Sequence, residues 1–374
     1  MAMKKLIFLA IGVFFTSQIF GGFAHCAPEV PALQGKEPVE KAQIQALIDG
    51  AKKEKKLVWL GGMIEPSGIK IIQKGFQEYY GLPGVIFEFT YAGSSDGIPR
   101  VEQALKAGKN IPDVVWFPTW AWYKDLISRG HLMRYDSPKY KEYTLSHRAG
   151  NSMPGYWVSD GYSFHPMWNV TALEKAGIKN FNPTSWNDFV DPKFTRIIAI
   201  GNISRSLIYT NIGIGLKKVL GEEWFIKVAK LRPGVYMRAN QGRDWCTSGE
   251  FPITLFGNAD KAEDVKKSGV SVKLLYPKEG IVVMPFAPVI LTAAPHPNTA
   301  KLFIDYVRSK AGTNQVASSG VALLYGRPGV KAPPNEFLPA MEDIKVIPMD
   351  WDKDLTMEDV KKFQKWVKDI ELTY

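Results

Sequence analysis

Cysteine is nearly absent from this chain of 374 residues, which carries only Cys26 and Cys246. Cys26 falls at the end of an apparent leader, so the mature chain holds one thiol and no internal disulfide. Its stability must then come from a hydrophobic core. Long apolar runs are also missing. The longest near the start spans residues 6–15, which is too short to cross a bilayer, and no later segment is long and apolar enough. Histidine is scarce, with five residues, and neither these nor Cys246 show the spacing of a zinc site. No metal and no cofactor is expected. Basic residues do not cluster, although the net charge is +10. Scattered lysines in an exported chain argue against nucleic acid as a partner. The positive balance favours an anionic ligand or an anionic surface.

What is present begins with a secretory leader. Lys4 and Lys5 precede the apolar run, small residues follow, and Ala24-His25-Cys26-Ala27 offers a cleavage site. Residues 1–27 are read as a cleavable signal peptide, which places the mature chain in the periplasm. The remainder is 45% hydrophobic by overall composition and long enough for two domains.

Along that remainder, helices alternate with short apolar strands. Helical spacing marks residues 40–53, and again Ile69, Ile72, Phe76 and Tyr79. Val85, Phe87, Phe89 and Tyr91 alternate as a strand should. Further strands are read at residues 57–60, 113–117, 197–200, 235–238, 251–256 and 272–276. The rhythm implies a mainly parallel sheet covered by helices on both faces. Ligands of such sheets bind at the carboxyl ends of the strands. Here those ends are Gly61-Gly62, Gly93-Ser94-Ser95 and Pro118-Thr119-Trp120. A second block after residue 184 repeats the rhythm without repeating the sequence. Residues 280–291 form a long apolar stretch. A final helix starts at Thr356, where Thr356 and Asp359 form a capping-box pattern.

The ordered set of segments resembles the type II extracellular solute-binding proteins of ABC transporters, in the branch of ferric-iron, polyamine, thiamine and phosphonate binders. Lys56-Leu57-Val58-Trp59 opens the likeness. Gly93-Ser94-Ser95-Asp96-Gly97 and Pro112-Asp113-Val114-Val115-Trp116 follow, then Asp191-Pro192-Lys193-Phe194, Tyr276-Pro277-Lys278-Glu279-Gly280 and Ala294-Pro295-His296-Pro297. Gly326-Arg327-Pro328-Gly329-Val330 closes it. The likeness implies an α/β, two-lobed periplasmic binding protein fold. Each lobe would be a mainly parallel sheet flanked by helices, joined by hinge crossovers near residues 163–165 and 279–283. Lobe 1 would comprise residues 28–163 and 281–318, and lobe 2 residues 164–280. Residues 319–374 would form a C-terminal helical segment packed on the lobes. The implied role is capture of a small molecule by hinge closure, followed by delivery to a membrane permease, as a monomer.

Candidate ligand contacts fall at strand-to-helix junctions. Ser94 and Ser95 place hydroxyls and free N–H groups where an anion would sit; the alternative is plain helix capping. Ser204, Arg205 and Ser206 repeat that logic, and an arginine at a helix start calls for a negative neighbour, unless it is simply solvated. Gln241 and Arg243 follow another strand. Arg243 can grip a carboxylate or phosphate with two hydrogen bonds, or stand as an exposed loop arginine. Thr119 and Trp120 end the third strand, and Trp120 is the aromatic wall of choice. His165 lies at the first crossover. Together these residues favour a carboxylate or a phosphorylated compound.

Three other readings remain. Iron binders of the branch use a tyrosine pair near the junction that here reads Phe256-Gly257-Asn258-Ala259-Asp260, which contains no tyrosine. Ferric iron is then the alternative only if it is bound through a chelator or through a different ligand set. A sensor subunit that presents its ligand to a receptor would share the same fold. Finally, Gly93-Ser94-Ser95-Asp96-Gly97 satisfies the G-x-S-x-G pattern of hydrolase elbows. Only two strands precede it, whereas that fold builds more, so Ser95 is read as part of a ligand turn. The chain is expected not to be an enzyme. An esterase assay should show no turnover that disappears in Ser95→Ala.

Overall fold

The computed structural model describes residues 29–144, 153–351, 353 and 355–372. The expected signal peptide, residues 1–27, lies outside them.

The chain first lays down α1 (Pro38–Glu54), β1 (Lys56–Gly61), α2 (Pro66–Tyr80), β2 (Ile86–Tyr91), α3 (Ser94–Ala107), β3 (Val114–Phe117) and α4 (Trp120–Ser128). Helix α2 shows why the local sequence folds this way. Ile69, Ile72, Phe76 and Tyr80 form one buried stripe, and Gly81 in the left-handed region ends the helix. Strands β4 (Asp160–Ser163) and β5 (His165–Asn169) follow, with only Phe164 between them. They belong to different sheets. The chain therefore passes from one lobe to the other within a single residue.

The second lobe continues with α5 (Val170–Lys175), β6 (Ile198–Gly201), α6 (Leu207–Lys230), β7 (Gly234–Tyr236), α7 (Ala239–Ser248), β8 (Ile253–Gly257), α8 (Ala259–Lys267) and β9 (Val272–Leu274). Helix α6 is broken at Gly221, whose φ of 72° only glycine adopts without strain. The chain then returns to the first lobe as β10 (Val283–Ile290), α9 (Pro297–Arg308) and α10 (Lys310–Ser318). It ends with α11 (Met357–Asp369), capped by Thr356 and Asp359 as expected.

Two five-stranded sheets result, with orders β2-β1-β3-β10-β4 and β7-β6-β8-β5-β9. Both are mixed rather than mainly parallel. Strands β1, β2 and β3 run parallel, as do β6, β7 and β8, but β10 is antiparallel to β3 and β4, and β5 to β8 and β9. The reversal has a physical cause. Strands β5 and β10 arrive from the other lobe and therefore enter their sheets from the opposite end.

Strand β10 contains Pro285 and Pro288, which is unusual for a central strand. The register explains it. Residues 283–286 pair with β4, whereas residues 287–290 pair with β3. Each half has one ladder partner, so neither proline has to donate on the open side. Around β10 the core of lobe 1 is aromatic. Trp116 stacks on Trp59 at 5.5 Å and on Phe286 at 5.0 Å between ring centroids.

The tail after α10 is largely extended. Among the described residues it contains α11 and one short turn, Met341–Asp343, so "helical segment" describes only its end. Its course is specific. Leu324 bridges Gly161, Gly326 donates its N–H to Asp160 at 2.9 Å, and Arg327 binds Glu142, all on lobe 1. Asn335 donates to the Ala259 carbonyl at 3.3 Å, Glu336 pairs with Lys266, and Phe337 packs on Ala259, Ala262 and Val265, all on lobe 2. Between them, Ala332-Pro333-Pro334 makes a third passage between the lobes. Val346 then bridges Ile281 on the second passage.

Asp160, at the start of β4 and away from the hinge, is paired with Arg308 at 2.5 Å, and both side chains are 1% exposed. Removal of one partner strands a buried charge. Asp160→Ala should therefore lose about 3–5 kcal/mol, read as a lowered urea midpoint with little change in slope.

Candidate functional site

A cleft of about 660 Å³ opens between the lobes. Lobe 1 supplies Gly62, the 91–96 turn and Arg100. Lobe 2 supplies Ser206, Tyr209, residues 237–241, Trp245, Asp260 and Lys261. Tyr162 and Phe164 form the hinge side. Tyr209 reaches the wall because Gly201 leaves room for it: a Cβ there would meet its ring at 2.6 Å.

Three helices begin at this cleft without a side-chain cap. Helix α3 starts after Gly93, α6 after Ser206 and α7 after Arg238, and no side chain caps any of the three. Elsewhere capping varies: α5, α10 and α11 are capped by Asn169, Ser309 and Thr356 and α8 by Asn258, whereas α1, α2, α4 and α9 are not capped by a side chain. The first N–H groups of an uncapped helix have no intrahelical acceptor, and its N-terminus is electropositive. Ser94 adds a second donor: it is 3% exposed, and its Oγ has no hydrogen-bond partner.

The charged residues of the cleft divide unevenly. Asp96 accepts from Arg238 at 2.6 Å, across the lobes. Asp244 pairs with Arg243 at 2.9 Å. Asp260 has Lys261 at 3.4 Å and the Tyr162 hydroxyl at 3.3 Å. Burial raises the Asp260 carboxyl above its usual range, against the pull of Lys261. Lys261, with an 11% exposed side chain, also approaches Glu65 of lobe 1 at 3.5 Å and Asp264 at 3.7 Å. These carboxylates keep its ammonium charged despite burial. Arg100 is exposed and has no ion pair among the described residues.

The residues singled out in the sequence separate accordingly. Ser94, Ser95, Ser206 and Gln241 line the cleft. Thr119, Trp120, His165, Ser204, Arg205 and Arg243 do not. Trp120 is buried edge-on against Trp157, and the Thr119 hydroxyl is buried beside it in sequence. Ser204 is buried and bonded to Asn202, while Arg205 points into solvent. Arg243 sits within α7, not in a loop, and is held by Asp244 and Asp264. His165 is buried at the hinge, with Nε2 2.9 Å from the Ser163 hydroxyl and its ring on Tyr276. The sequence reading missed Arg100, Arg238 and Lys261. Each looks locally like a solvated charge, and only the approach of the lobes distinguishes it. No group of three His, Cys, Asp or Glu residues suited to a metal exists among the described residues.

A model of the bacterial extracellular solute-binding proteins matches residues 109–355. The chain belongs to that family. Its fold is that of the type II periplasmic binding proteins of ABC transporters. The periplasmic binding protein AfuA of Actinobacillus pleuropneumoniae, with exogenous fructose-6-phosphate bound, superposes with a TM-score of 0.74 at 22% identity, over 85% of this chain and 99% of that one. Iron-bound HitA of Pseudomonas aeruginosa gives 0.65 at 19% identity, over 84% and 99%. An uncharacterized protein of Haemophilus influenzae is 28% identical, over 80% of this chain and 86% of its own length. The family is one of solute-binding proteins rather than enzymes, and its members serve transport across the membrane.

Burial lowers the His165 pKa to about 3, so the folded state holds the ring neutral while the unfolded chain protonates near 6.5. Folding stability due to this residue is therefore full above pH 6.5 and falls as pH drops from there toward 3, by at most about 1.4 kcal/mol per pH unit. Urea midpoints measured across that window should fall less steeply in His165→Asn than in the wild type.

Proposed function

We propose that this protein captures a small organic anion, a carboxylate or a phosphorylated compound, between its lobes by hinge closure. As a monomer, it then hands the anion to a membrane permease. One observation carries the anion reading. Every carboxylate lining the cleft already has a cationic partner, whereas the groups left over are donors: the Ser94 hydroxyl, the Arg100 guanidinium and the N-termini of α3, α6 and α7. Spare donor capacity in a partly dry cleft suits an anion and leaves a cation nothing to bind. The aromatic walls Tyr91, Tyr209 and Trp245 suit the organic part of such a ligand. AfuA, whose structure carries a sugar phosphate, is consistent with this class.

A thermal-shift screen of phosphorylated compounds, carboxylates, amines and metals on metal-stripped protein tests the reading. A true ligand at a hundredfold excess over its Kd adds about 2.7 kcal/mol of stability and raises Tm. Arg100→Gln and Ser94→Ala should each weaken that ligand by roughly tenfold or more while keeping the Tm of the free protein. A response confined to amines or metals overturns the anion reading.

A further inference from the structure

Two ion pairs span the mouth of the cleft from one lobe to the other. Asp96, in the first turn of α3, meets Arg238, the residue before α7, at 2.6 Å. Glu65, the residue before α2, meets Lys261 on α8 at 3.5 Å. In both, the acid belongs to lobe 1 and the base to lobe 2. Asp96 has no other ion-pair partner among the described residues, and Glu65 has only the Tyr91 hydroxyl of its own lobe besides. The Asp96–Arg238 pair lies at the surface, while Lys261 is buried on lobe 2, where Asp260 and Asp264 also hold it. Arg238 is 70% exposed and Asp96 38% exposed. Hinge opening would separate both pairs, whereas ion pairs such as Arg308–Asp160 lie within one lobe and would persist.

We infer that Asp96 and Glu65 are clasp residues. They hold the lobes closed through Arg238 and Lys261 and so govern how long the cleft stays shut. This rests on closure between the lobes as proposed above, but not on the identity of the ligand. The matched polarity also gives direction. Acids on one lip and bases on the other attract over the last ~10 Å of closing and are screened by salt beyond that distance. An exposed pair contributes at most about 1 kcal/mol, which is roughly a fivefold change in the ratio of closed to open molecules. That is large enough to bias closure and small enough to let it reverse. Asp96 and Glu65 are positioning residues here, because they act through lobe 2 cations and not on the ligand itself.

The test measures lobe separation in the full-length mature protein without added ligand. Spin labels at Lys106→Cys on lobe 1 and Lys227→Cys on lobe 2, both exposed, report the distance by pulsed electron resonance. The closed fraction should fall with added salt. It should also fall by up to about fivefold in Asp96→Asn and again in Glu65→Gln. The exchanged pair Asp96→Arg with Arg238→Asp should restore it, which guards against a single variant that merely misfolds. Unchanged distances in Asp96→Asn and Glu65→Gln, in protein with native circular dichroism, overturn the clasp. A separate arm adds fructose 6-phosphate or inorganic phosphate. Failure of both to close the lobes counts against the anion reading and leaves the clasp result standing.

Discussion

Lobe 1 cannot complete its sheet from its own first stretch. Strands β3 and β4 share no ladder, and β10 fills the space between them with residues that come after the whole of lobe 2. That insertion sets the rest of the structure. It makes lobe 1 discontinuous and brings β4 and β10 side by side where the chain leaves and returns. It also fixes the hinge beside Phe164 and residues 275–282. The aromatic core forms around it, with Trp116 between Trp59 and Phe286. Even its two prolines are accommodated by the way its partners take turns.

With the hinge fixed, the parallel strands of each lobe aim their carboxyl ends at the gap. The helices that follow therefore open toward the cleft. Five of them, α2, α3, α4, α6 and α7, begin without a side-chain cap, and only α8 has one, from Asn258. At α3, α6 and α7, whose first turns line the cleft, a bound anion would supply the missing acceptor.

Much of this was legible in the sequence. The period-two run ending at Tyr91, the capping box at Thr356 and the ordered motifs gave the lobes and their order. The parallel character was overstated, because periodicity says nothing about strand direction. Helix α7 was anticipated as a helix entry but given no bounds, and Arg243 falls more than a turn inside it, where Asp244 and Asp264 hold it. The serine turn at Ser94 was found because chemistry and position coincide in one short stretch. Trp120 misled because an aromatic at a strand end suits a wall or a core equally, and Trp157, far away in sequence, decides it. Arg238 and Lys261 could not be found this way. Their partners lie on the other lobe, more than a hundred residues away in the chain.

The tail gives the hinge its mechanical character. Two parallel links between plates permit both bending and shearing. A third link at Ala332-Pro333-Pro334, anchored on either side by Asn314 and Ala259, acts like a further stitch along a book's spine. Sliding and twisting of one lobe over the other would stretch that stitch, and proline keeps it stiff. What remains is rotation about a single axis. Each opening then returns the lips of the cleft to the same alignment, and the donors of α3 and α7 meet the same point in space on every cycle.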